Sequence, residues 1–135
     1  MTTVENITAI SDNGRKINVG VEIAQEEPWW IKYTNLTGRE ILLESDDLFE
    51  ALILMRLDLE GQGFKLLCEG ARPNVMASGM SRSMSGGRKA YVLQLGRPSG
   101  LSNLVDIFES ANPEDIGTVA QQKDFYEEWL RSTTT

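Results

Sequence analysis

The sequence predicts a single α+β domain: an antiparallel sheet of about five to seven strands with one central buried helix and a C-terminal helix. Three observations predict it. Ile17, Val19, Val21 and Ile23 alternate with Asn18, Gly20 and Glu22, the period-two pattern of a strand with one buried face. Leu48, Ala51, Leu52, Met55 and Leu59 recur instead at helical spacing. The chain has 135 residues, 41% of them apolar and 24% charged, which suits one globular core and no second domain.

The first 44 residues are expected to form an antiparallel meander. Its opening strand is "VENITAIS", followed by Asp12-Asn13-Gly14, where Asn-Gly supplies the two positive φ values of a tight primed turn. Pro28 closes the second strand. "WWIKYTNL" is the third, with Trp29, Ile31 and Tyr33 on one face, and Thr37-Gly38 turns it into "EILLE". A helix over 47–60 follows. Asp47 stands as N-cap with Glu50 at N3, a capping-box arrangement. Phe49, Ile53, Leu54 and Leu57 widen its apolar surface beyond one stripe, so the helix should lie across the sheet, covered on most sides. "FKLLCE" (64–69) returns as a strand. Residues 71–88 form a Gly/Ser/Met loop, and residues 89–108 hold the strands "KAYVLQL" and "LVDIF", separated by a turn at Arg97-Pro98-Ser99-Gly100. Thr118 and Gln121 make a second capping box that opens a helix over 118–131, docked by the i,i+4 pairs Phe125–Trp129 and Tyr126–Leu130. The terminal "STTT" is expected to fray.

Composition narrows the function. No histidine is present, which removes the commonest general acid/base and the usual metal ligand. Catalytic sites built on histidine and zinc sites of the Cys/His type are excluded, so an enzyme is not the expectation. Cys68 is the only cysteine, so no intrachain disulfide can form; within its apolar run it should be a buried small hydrophobe, and a reducing cytoplasm is the natural compartment. The N-terminus shows no basic segment followed by an apolar one, so no signal peptide is expected. The longest near-apolar run, Leu48 to Leu57, is broken by Glu50 and Arg56 and falls short of the roughly 20 residues of a membrane span.

The net charge of −7 is unevenly spread. Residues 1–70 carry 13 acids and 6 bases, residues 101–135 carry 7 and 2, and residues 71–100 carry no acid and five bases: Arg72, Arg82, Arg88, Lys89 and Arg97. Within that block, glycine-freed amides, serine hydroxyls and the cations Arg82, Arg88 and Lys89 could cradle an anion, with Ser78 as a further donor. No phosphate-loop signature accompanies them, because Gly87 is followed by Arg88-Lys89-Ala90. Met76, Met80 and Met84 are spaced by four, but Gly79 and Gly86-Gly87 argue against a helix there. The block is therefore read mainly as a loop whose bases balance the protein's own acids. Trp29 and Trp30 point to opposite faces of a strand, so one belongs to the core and the other can be an exposed contact residue. Neither D-x-D nor an EF-hand loop occurs among the acids, so no metal site and no cofactor are expected.

From about Leu66 onward, "CEGARPNVMASGMSRSMSGGRKAYVLQLG", "LVDIFES" and "QQKDFYEEWL" resemble immunity proteins encoded beside bacterial polymorphic or contact-dependent growth inhibition toxins, over residues 66–131. The resemblance implies a non-enzymatic, cytoplasmic role: stoichiometric binding of a cognate toxin domain, with no catalytic residue to carry over and no membrane or nucleic-acid partner. Charge agrees, since nuclease toxins are basic and their inhibitors are often acidic. The expected contacts are Glu44, Asp46, Asp47 and Glu50 at the start of the central helix, and Asp124, Glu127 and Glu128 on the last. Five cations in the middle block do not suit such a contact face. The alternative is a small anion- or nucleotide-phosphate-binding module built on Ser78, Arg82, Arg88 and Lys89.

Overall fold

A computed structural model describes residues 1–98 and 103–133. Residues 99–100 of the expected turn and residues 134–135 of the tail lie outside them. The described chain is α+β, with a curled five-stranded antiparallel sheet, a small three-stranded sheet and three α-helices, the last of them C-terminal. Strands β1 (Thr2–Ser11), β2 (Lys16–Ala24), β3 (Trp30–Thr34) and β4 (Glu40–Glu44) make the expected meander, and β5 (Phe64–Leu66) joins the far side of β1. Ile7, Ala9, Val19, Val21, Ile23, Ile31 and Tyr33 face inward and are buried. Against them lies α1 (Leu48–Gly61), whose Leu48, Phe49, Ala51, Leu52, Met55 and Leu59 complete the core. The period-two and period-3.6 patterns thus meet as two complementary apolar faces. The outer flank of α1 stays open, however: Leu54 and Leu57 are 40% and 49% exposed. No helix among the described residues is long and apolar enough to cross a membrane.

The hairpin at Asp12-Asn13-Gly14 differs from expectation. Only Gly14 has positive φ, Gly14 N–H bonds to Ser11 O at 3.0 Å, and Ser11 N–H bonds to Arg15 O at 2.9 Å. This is the three-residue loop with a glycine bulge rather than the two-residue primed turn. Asn35–Arg39 repeats it, with Gly38 in the bulge position and the Asn35 side chain accepting from the Thr37 and Arg39 amides.

Residues 71–88 are not simply a loop. After a 3₁₀ turn at Glu69–Ala71, Val75–Met76 forms β6 and Gly79–Ser85 forms a short helix, α2. The glycines expected to break that helix delimit it. Gly79 is its first residue behind a full capping box between Ser78 and Ser81, and Gly86 (φ 62°) is its left-handed C-cap. Met80 and Met84 remain 58% and 78% exposed. Strands β7 (Lys89–Val92) and β8 (Leu104–Asp106) complete the small sheet in the order β6-β7-β8 and are shorter than the segments expected. A second 3₁₀ turn, Pro113–Asp115, leads to α3 (Val119–Thr133), which runs two residues past the expected end.

Candidate functional site

The last helix is placed by polar contacts. Thr118 and Gln121 form the expected capping box: the Thr118 amide donates to Gln121 Oε1 at 2.8 Å and the Gln121 amide to Thr118 Oγ1 at 3.0 Å. The Val119 amide donates to the Glu60 carboxylate at 2.9 Å, fixing the start of α3 beside the end of α1. Among the described residues of α3 only Gln122 is buried, at 1% exposure. Its Nε2 donates to the carbonyls of Gly70, Arg72 and Val75 at 2.9–3.0 Å, and its Oε1 accepts from Arg56 Nη1 at 2.7 Å. Arg56, 2% exposed, also donates to Gly70 O and Gly117 O. Its charge is thus solvated by backbone dipoles and an amide instead of a carboxylate, and burial lowers its pKa. The aromatic docking pairs differ accordingly: Tyr126 stacks on Trp129 at 5.9 Å.

This placement sets α3 alongside the Pro113–Asp115 turn and opens a groove of about 430 Å³ between them. Pro73, Ile116 and Phe125 give it apolar walls, and Glu114, Asp115, Asp124 and Glu128 supply four carboxylates. Asp124 and Glu128 stand one helical turn apart on the same face of α3. No ion pair within the described residues involves any of the four. No group of three or more acids, cysteines or histidines among the described residues is arranged to hold a metal ion. The groove can therefore attract spread positive charge and bury an apolar side chain at its centre. Of the expected contacts on this helix, Asp124 and Glu128 line it, whereas Glu127 is exposed but outside its lining. Glu114 and Asp115, from the turn before the helix, also line it.

The acids at the start of α1 divide. Glu44 and Asp46 are exposed. Asp47 is a correction: at 4% exposure it is buried, its Oδ1 accepting the Glu50 amide at 2.9 Å as N-cap and its Oδ2 held by Arg82 Nη1 at 2.6 Å. Glu50 is drawn to the same guanidinium at 3.2 Å instead of closing a capping box. Gly87 (φ 80°) passes so near that a Cβ would sit 2.9 Å from Asp47 Oδ1 and 3.0 Å from the Phe49 amide. Asp47 is a structural group, and no partner can reach it without opening this corner.

The candidate anion-binding residues are likewise not assembled into one site. Ser78 caps α2. Arg82 serves the α1 N-terminus, with its guanidinium 5.3 Å from the Phe49 ring. Arg88 lies between Glu5 and Asp106 and over the Phe108 ring. Arg72 pairs with Glu69 at 2.8 Å. Three of the five cations of residues 71–100 are thus neutralised within the chain, and Lys89 stands exposed with no ion pair among the described residues. No protein-family model matches the sequence, and the curated proteins contain no significant match to it. Fold and site together define an acidic α+β domain with an unneutralised, acid-lined groove.

Proposed function

We propose that the protein is a non-enzymatic binding domain: a cytoplasmic immunity protein that sequesters a basic, nuclease-type toxin domain. The observation that carries this reading is the groove beside α3, lined by Phe125, Ile116 and four carboxylates that form no ion pair among the described residues. Like charges gathered in one groove cost stability in the free protein and become favourable when a cationic surface neutralises them. The resemblance over residues 66–131 supports the same role, since that stretch contains the whole groove. The basic block is compatible with it, because Arg72, Arg82 and Arg88 are neutralised by the protein's own acids. Calorimetry against the protein encoded by the neighbouring gene tests the proposal. Binding with a Kd below about 1 µM, lost in the Glu114→Lys/Asp124→Lys variant, is expected; absence of binding by the wild type refutes it.

A further inference from the structure

We propose that the open edge of β4 is a second contact surface, one that accepts an extended basic strand of a partner protein by β-addition. Strands β3 and β4 pair without a bulge from Thr34↔Glu40 to Trp30↔Glu44. The bonds Asn35 N–H to Arg39 O (2.8 Å) and Ser45 N–H to Trp29 O (3.3 Å) fix the phase of this ladder. By antiparallel alternation the backbone groups of Ile41 and Leu43 face β3, and those of Glu40, Leu42 and Glu44 face outward. Nothing among the described residues pairs with that edge, and the strand contains no proline.

The side chains of the same three residues lie on the sheet face opposite α1. Glu40 and Glu44 are exposed and make no ion pair among the described residues, and Leu42 between them is 54% exposed. The edge therefore presents acid, hydrophobe, acid at alternate positions. Charged residues at an edge deter unwanted pairing, but they do so selectively. A second copy paired antiparallel about Leu42 would set Glu40 opposite Glu44 twice, so self-addition is disfavoured. A strand carrying Lys or Arg, an apolar residue, then Lys or Arg on one face meets both carboxylates and covers Leu42. The first half of β1 is also open on one side, but Thr2, Val4 and Asn6 give it no charge to select a partner. The inference does not depend on the α3 groove, since the sign of the partner's charge follows from Glu40 and Glu44.

The test uses the capped peptide Lys-Thr-Val-Thr-Lys as probe, with amide exchange of the ¹⁵N-labelled protein as readout. The peptide is expected to slow exchange at Glu40, Leu42 and Glu44 and to leave the α3 amides unchanged. N-methylation of its central valine, which removes the donor facing Leu42, should weaken binding about tenfold. The acidic counterpart Glu-Thr-Val-Thr-Glu should not bind. Leu42→Pro, which deletes an outward N–H and no bond to β3, should weaken binding similarly; if that variant fails to fold, the N-methyl comparison decides. Absence of binding, binding indifferent to N-methylation, or protection confined to other amides overturns the proposal.

Discussion

Gln122 occupies the position on α3 where a small domain would ordinarily place a leucine. It bonds to three carbonyls and to the buried Arg56 guanidinium, so it seals a junction of Gly70, Arg72, Val75 and Gly117 that no apolar residue could seal. Gln122→Leu keeps the volume and removes the amide's bonds to the three carbonyls and to Arg56, while Arg56 keeps Gly70 O and Gly117 O and Arg72 O keeps the Val75 amide; it should cost about 2–3 kcal/mol in urea unfolding, and a loss below about 1 kcal/mol would contradict this role. Nothing in the sequence marks the residue, since a glutamine on a helix ordinarily faces solvent. Cys68 is legible as a buried hydrophobe, and it is buried. Burial pushes its thiol up to about 12 from the ordinary 9.0. The unfolded chain loses the proton near pH 9 and the folded chain does not, so stability is full below pH 9 and falls towards pH 12. Burial and the hydrogen bond to Asp58 raise the Tyr33 pKa, which acts in the same direction. Wild type should therefore lose stability above pH 9 faster than Cys68→Ala, by up to about 1.4 kcal/mol per pH unit. Parallel curves for the two proteins would show that the thiol does not contribute.

Among the elements, β2 and α1 were legible because each has one strong period and one buried face. Strands β7 and β8 were legible within "KAYVLQL" and "LVDIF", although shorter than those segments; β6 and the separation of the three from the main sheet were not, since two residues are too short to show a period. The α2 helix was missed because Gly79 and Gly86 lower helix propensity in an interior, yet here they occupy its ends. The interface between α2 and α1 was out of reach of local reasoning, for Arg82 comes from 35 positions away to reach Asp47. Arg82→Ala should leave Asp47 buried with its own charge unmatched and cost about 2–3 kcal/mol. Asp47→Asn keeps the cap and removes the charge, so the double variant should recover about 1 kcal/mol or more. Strict additivity in that cycle would mean the pair is not coupled. The same reasoning explains why the site was half legible. Asp124 and Glu128 share a helix face in the sequence, but Glu114 and Asp115 join them only through the placement of α3 by Gln122.

At the scale of the molecule, the folded protein removes an asymmetry that the sequence displays. The acid-free block supplies Arg72, Arg82 and Arg88 to acids elsewhere in the chain, and the carboxylates that form no ion pair among the described residues include those of the α3 groove and of the β4 edge. An acidic groove of this kind should relax when its charge is reduced. Glu114→Gln/Asp124→Asn is expected to unfold at the same or a higher temperature than wild type, because no ion pair among the described residues is lost; a fall of several degrees would mean these carboxylates support the fold. The most direct measurement of the central claim is calorimetric titration of the protein with the product of the neighbouring gene, wild type against Glu114→Lys/Asp124→Lys, at low and high salt. The account predicts stoichiometric binding that weakens with salt and is lost in the charge-reversed variant. Binding of equal strength by the two proteins, or none by the wild type, would contradict it.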